Sequence, residues 1–206
     1  IRVATGSLRR TALMKEANSK VKVFPLRGNV DTRINRLYDE DNWDAIILAE
    51  ASISRLNLQD SLTFRRLDPL WFTPSPAQGV LAVQCHRKNP FASTLNKLDC
   101  PETRFAACLE RKILELLGGD CTLPIGVHAN ITKPSHAEVR ATVLNEKGQS
   151  VRATCHFEGN PSYEEAAQKT VNTLISNGVN QILKDLALPL VEPKELSFDN
   201  QGTHPS

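Results

Sequence analysis

No apolar run in the sequence approaches the roughly 20 residues that a membrane helix needs, so no span is expected. No C-x-x-C pair occurs either. The five cysteines, Cys85, Cys100, Cys108, Cys121 and Cys155, are odd in number, and the five histidines stand at no metal-ligand spacing. This argues against a zinc site and a disulfide scaffold, and it favours a reducing compartment. Aromatic residues are scarce, at 5% of the chain. An initial Met is also missing: the chain opens at Ile1 and runs straight into what reads as the end of a strand. A piece of a longer protein is therefore expected, and the lack of a targeting signal says nothing about its destination.

What is present is ordinary in bulk and uneven in placement. At 206 residues, 40% hydrophobic and 23% charged, the chain has the size of one large or two small globular domains. Residues 1–36 hold nine Lys and Arg against two acids, Glu16 and Asp31. The whole chain has 25 basic and 23 acidic residues, so the remainder holds 16 against 21. A locally basic segment in a near-neutral chain implies an anionic partner. Nucleic acid fits poorly, because the segment offers only Phe24 for stacking and no basic run longer than Arg9-Arg10. A small polyanion fits better.

Taken in order, the basic segment reads as repeated strand-to-helix turns. Arg2-Val3-Ala4 ends a strand, and Ser7 caps a helix from Leu8 to about Asn18 with Leu8, Ala12 and Met14 or Lys15 facing inward. Val21 to Leu26 is β-rich, and Asn29 caps a second helix carrying Val30, Ile34 and Leu37 on one face. Ala45 to Ala49 is a continuous apolar strand, followed by a short helix near Ala51 to Leu56. Strands alternating with helices imply a parallel sheet, whose ligands sit at the carboxyl ends of the strands. Both turns place arginines where a helix N-terminus opens, so Arg9, Arg10, Arg27 and Arg33 add forked donors to free backbone N–H groups. Taken singly each is equally a solvated helix residue; as a group they predict anion sockets.

Further on, a strand over Val80 to Val83 and a helix from Pro90 are expected. A helix starting at Pro101 presents Phe105, Leu109, Ile113 and Leu116 on one face and stops at Gly118-Gly119. The turn that follows, Gly119-Asp120-Cys121-Thr122-Leu123-Pro124-Ile125-Gly126, lifts one thiol off the helix end and stiffens the loop with Pro124. That geometry suits covalent attachment or nucleophilic work. A lone Cys is more often a small buried hydrophobe, and Asp120 beside it disfavours the thiolate. Three strand-like stretches near 127–131, 139–144 and 151–157 follow, then a helix opened by the capping box Ser162-Tyr163-Glu164-Glu165 and ended at Asn177-Gly178. The expected fold is α/β, with a parallel-rich βα domain plus a small α+β domain built on a three-stranded antiparallel sheet.

Five motifs occur in order and spacing that resemble the porphobilinogen deaminase (hydroxymethylbilane synthase) family: Ala4-Thr5-Gly6-Ser7-Leu8-Arg9-Arg10, Leu26-Arg27-Gly28-Asn29-Val30-Asp31-Thr32-Arg33, Asp44 to Ala49 with Arg55-Leu56, Pro76-Ala77-Gln78-Gly79, and Gly119 to Gly126. The resemblance spans most of residues 1–190. It implies a transferase that condenses four porphobilinogen units with loss of ammonia, primed by a dipyrromethane cofactor held through a thioether to Cys121. It further implies that Ser7, Arg9 and Arg10 bind cofactor and substrate carboxylates, that Arg27, Gly28, Arg33 and Arg55 hold the growing chain, and that Gln78 and Gly79 lie at an interdomain hinge. The family's catalytic aspartate lies in an N-terminal domain that has no counterpart here, so an inactive fragment is expected.

The implied division is a second, periplasmic-binding-protein-like α/β domain over 1–70 without its first strand, a hinge and first-domain remnant over 71–99, a cysteine-bearing C-terminal domain over 100–190, and a tail over 191–206. The implied protein is a cytoplasmic or plastid monomer that takes porphobilinogen and polypyrroles and binds neither nucleic acid nor membrane. Two departures from the family stand out: Asp120 where Gly is usual, and Gln84-Cys85-His86-Arg87 where an acid followed by Cys-Arg is expected. A non-catalytic anion-binding module of periplasmic-binding-protein type explains the arginines but not the cysteine loop. An RNA-binding fragment explains only the charge.

Overall fold

A computed structural model describes residues 1–39, 43–120, 122–133, 136–159 and 161–194. Its N-terminal part is a three-stranded parallel sheet in the order β2-β1-β3, formed by β1 (Arg2–Ala4), β2 (Lys22–Phe24) and β3 (Ala45–Ile46). The connections are α1 (Leu8–Ala17) and α2 (Val30–Asp39), and α3 (Glu50–Arg55) follows β3. Register runs Val3 beside Val23 on one side and Ala45 on the other, which brings the carboxyl ends of β1 and β2 level at Ala4 and Phe24.

Ser7 caps α1 by accepting from the Arg10 amide, and Asn29 accepts from the Thr32 amide at 2.9 Å at the start of α2. Helix α1, however, faces inward differently from the expected pattern. Arg9, Ala12 and Leu13 are buried, whereas Leu8 is 51% exposed. The helix is oriented by what its second residue reaches, because Arg9 crosses to the segment at 73 while Leu13 fills the small core with Val3, Val21, Ile47 and Phe72.

The expected strand over Val80 to Val83 does not form. Among the described residues no strand pairs with this segment, and a strand without a hydrogen-bonding neighbour is not stable in water. Leu81 and Val83 are left exposed, as are Phe91 and Leu98 beside the short helix α4 (Ala92–Leu95) and the 3-10 turn Asn96–Leu98.

The C-terminal part is a second sheet, antiparallel, in the order β4-β5-β6, from β4 (Ile125–Lys133), β5 (His136–Leu144) and β6 (Ser150–Glu158). Helices α5 (Pro101–Leu116), α6 (Tyr163–Ser176) and the short α7 (Val179–Asp185) join it in one core. Alternate residues supply that core: Val127 and Ala129, then Val139, Ala141 and Val143, then Ala153, Cys155 and Phe157. The helices answer with Leu109, Ile113, Leu117, Val171, Leu174 and Leu183, each side chain of this size contributing about 1.5–3 kcal/mol when fully buried. The capping box at Ser162 and Glu165 is formed in both directions. Helix α7, which the sequence reading did not foresee, restarts directly after the left-handed Gly178 that ends α6.

The two parts touch through α1. Leu144 of β5 sits in the smaller core, Arg152 and Ser150 of β6 bond the Glu16 carboxylate, and Lys15 donates to the Glu146 carbonyl at 2.9 Å. Between them runs the segment 71–79. Thr73 and Thr142 share a buried hydroxyl hydrogen bond of 2.8 Å, and Pro74 accepts from the Val127 amide at 3.0 Å. Gly126 is required there, since a Cβ at that position would lie 2.7 Å from the Thr73 carbonyl oxygen.

Candidate functional site

At the carboxyl ends of β1 and β2 a cavity of about 350 Å3 is lined by Thr5, Gly6, Ser7, Arg9, Arg10, Leu26, Arg27, Arg33, Ser75 and Gln78. Among the described residues, four arginines meet there and no carboxylate does. The position follows from the fold: each strand delivers the chain to a turn on the same side of the sheet, and each turn opens a helix whose first residues carry the cations.

Three of the four guanidinium groups are anchored by main-chain carbonyls rather than by acids. Arg9 Nη1 donates to the Thr73 oxygen at 2.6 Å, Arg10 Nη1 to the Ile47 oxygen at 2.7 Å, and Arg33 Nε to the Gly28 oxygen at 2.7 Å. Arg9 Nη2 also reaches Gln78 Oε1 at 3.4 Å. Carbonyl anchors fix orientation without neutralising charge, so the cations remain available to an anion. Among the described residues, Arg27 has no hydrogen bond or ion pair with the protein and is exposed.

Crowding is visible in the proton affinities. Burial, and next the neighbouring Arg10 charge, pull the Arg9 pKa down to about 10. Burial and then Arg33 lower that of Arg10. Arg9 and Arg10 stay charged near neutral pH, and a bound anion relieves both the desolvation and the mutual repulsion. The chemistry such a cavity supports is forked recognition of carboxylate or phosphate.

Of the residues singled out from the sequence, Ser7, Arg9, Arg10, Arg27, Arg33 and Gln78 meet around this cavity. Gly28 contributes the carbonyl that orients Arg33. Gly79 follows Gln78 and Arg55 stands exposed at the last position of α3, and neither is in the lining. Cys121 lies outside the described residues. To its N-terminal side Gly118 is left-handed at φ 66°, and Asp120 Oδ1 accepts from the Thr122 hydroxyl at 2.6 Å and amide at 2.8 Å. Those bonds, the hydroxyl first, hold the exposed Asp120 carboxyl below its ordinary range.

Residues 1–94 match the family model described as "Porphobilinogen deaminase, dipyromethane cofactor binding domain", and residues 105–175 match "Porphobilinogen deaminase, C-terminal domain". The chain belongs to the porphobilinogen deaminase family. It is 32% identical to the porphobilinogen deaminase of Natranaerobius thermophilus over 190 residues, which is 90% of this chain and 60% of that protein. The probable porphobilinogen deaminase of Methanosarcina barkeri is 32% identical over 189 residues, with 91% and 59% covered. That of Mycobacterium marinum is 38% identical over 139 residues, with 67% and 44% covered. The chain thus spans about 60% of the length of the longest-matching relatives. No helix among the described residues is long and apolar enough to cross a membrane.

Sequence reasoning missed Thr73, Ser75 and Glu110. The signal for Glu110 was available: Ala106, Glu110, Ile113 and Leu117 follow one helical stripe, so an acid interrupts a face that is otherwise apolar.

Proposed function

We propose that this chain is the carboxylate-holding and cofactor-bearing part of a hydroxymethylbilane synthase, which condenses four porphobilinogen units head to tail with release of ammonia. The observation that carries the reading is the cavity lined by four arginines and no acid. Each pyrrole of the product carries two carboxylates, so the ligand gains negative charge as it grows and needs cations not already spent on acids of the protein.

The residues fit a dipyrromethane group bearing several carboxylates. Arg9 and Arg10, preset by the Thr73 and Ile47 carbonyls, hold carboxylates together with the Ser7 hydroxyl. Arg33 and the unpartnered Arg27 take those of added units, with Gln78 closing the cavity wall. Gly28 and Gly79 belong to the turns beside the cavity rather than to its lining, and Arg55, at the end of α3, would meet the chain as it grows beyond the cavity. Cys121 would hold the group through a thioether. When bound, a dipyrromethane supplies the terminal pyrrole carbon to which further units add. The chain's own contribution is to orient carboxylates and neutralise charge; among the described residues no carboxylate lines the cavity to move a proton. The setting we propose is a monomer in a reducing compartment, cytoplasm or plastid.

The test is to fuse the chain with the portion of the Natranaerobius thermophilus relative that it does not span, express it, and measure intact mass and turnover of porphobilinogen. A mass increase of two pyrrole units together with hydroxymethylbilane formation is the expected result. A fusion that binds polycarboxylates but acquires no adduct and makes no product would instead be a non-catalytic anion-binding module.

A further inference from the structure

Helix α5 carries a carboxylate that the proposed reaction does not use. Glu110 is 6% exposed, and burial raises its pKa above the ordinary carboxylate value. His128 Nδ1 lies 3.8 Å away, and its own pKa is lowered, by burial first and then by Arg140, so near neutral pH it supplies no countercharge. Two main-chain amides instead satisfy the carboxylate: Ala129 N donates to Oε1 at 2.7 Å and Ala77 N donates to Oε2 at 2.5 Å.

These two amides belong to different parts of the molecule. Strand β4 is at an edge of its sheet, and alternate N–H groups of an antiparallel edge strand point away from the neighbour. Val127 uses its outward N–H to bond the Pro74 carbonyl, as if residues 73–74 were a further strand. Two residues on, Ala129 has no such carbonyl, because the chain turns away at Pro76. The Glu110 carboxylate stands where that carbonyl would be. Its other oxygen takes the Ala77 amide, immediately before Gln78, and Ala77 itself is in the left-handed region at φ 56°. A non-glycine residue in that region is held there by its surroundings.

We infer that Glu110 is a positioning residue for the four-arginine cavity. By clamping Ala77 to the β4 edge it fixes Gln78, and through Gln78 the Arg9 guanidinium that Gln78 Oε1 contacts. The cavity and the C-terminal sheet are thereby joined through one carboxylate. This rests on the reading of the cavity as a carboxylate site.

A double-mutant cycle with benzene-1,3,5-tricarboxylate as the probe, measured on the 206-residue chain, tests the inference. Glu110→Gln keeps the volume but presents an amide N–H₂ to one of the two donors, so it should weaken the probe by about tenfold, the scale of a lost charge-assisted hydrogen bond. Gln78→Ala should also weaken it. If Glu110 acts through Gln78, the double variant binds no more weakly than the worse single one. Multiplied losses, or unchanged affinity in Glu110→Gln, overturn the inference. Hydrogen exchange at the Ala77 amide separates it from the cavity reading: exchange should accelerate at least tenfold in Glu110→Gln while the α6 amides stay protected. Failure of the wild-type chain to bind the probe would refute the carboxylate site, and wild-type protection at Ala77 in Glu110→Gln would refute the clamp.

Discussion

The Arg9 guanidinium donates to the Thr73 carbonyl at 2.6 Å across 64 positions of sequence, so a cation of the candidate site is also a tie between α1 and the segment joining the two sheets. Its neighbour in the cavity, Arg27, makes no such tie.

The two residues should therefore separate stability from binding. Arg9→Ala removes the donor of a buried hydrogen bond and should cost about 1–3 kcal/mol in denaturant unfolding. Arg27→Ala should leave stability within about 0.5 kcal/mol while weakening polycarboxylate binding, measured by calorimetric titration. Equal losses of stability in both variants would contradict the assigned roles.

Cys121→Ser in the fused, full-length form should lose the covalent adduct, whereas replacing Cys85, Cys100, Cys108 or Cys155 should not. A hydroxyl is far less ionised and less nucleophilic than a thiol near neutral pH. Intact mass decides it; a normal adduct on the Ser variant refutes the assignment.

The 206-residue chain alone should not turn over porphobilinogen. Positioned proton transfer contributes about a hundredfold to ten-thousandfold in rate, and no carboxylate is in the lining of the described cavity. Product formation by the isolated chain would place the essential acid within it, with Asp31 and Asp120 the first to replace.

Glu110 gives a pH signature. Burial outweighs the Ala129 and Ala77 amides and raises its pKa above 4.5. A group raised on folding stabilises the fold fully below the unfolded value and loses that contribution as pH rises through the folded one. Urea midpoints between about pH 4 and 8 should therefore decline in the wild type relative to Glu110→Gln as pH increases. A difference that grows in favour of the wild type with rising pH would mean the carboxylate is stabilised, not penalised, by its site.

What was legible in the sequence was local. Ser7, Asn29 and the Ser162–Glu165 box announce helix starts because each cap is satisfied within three residues, and alternation in 125–158 announces strands because one face must be dry. What was not legible depended on distant partners. Leu8 is exposed and Arg9 buried because the Thr73 carbonyl lies on that side, and no local rule records it. Val80 to Val83 has the composition of a strand but pairs with no strand among the described residues. The turns that gather Arg9, Arg10, Arg27 and Arg33 were readable from strand-to-helix alternation. That Arg55, at the end of α3, is not in the same lining was not, because it depends on where α3 lies.

The outer edge of β4 has one more consequence. An open edge is a template for another chain, and here the Pro74 carbonyl and the Glu110 carboxylate occupy the Val127 and Ala129 donors that a second copy would need. Release of residues 73–77 would expose that row of donors in a chain whose Val80, Leu81 and Val83 are already exposed. The same contacts that set the cavity wall thus guard the chain against edge-to-edge aggregation, and solubility should decline together with ligand affinity when they are lost.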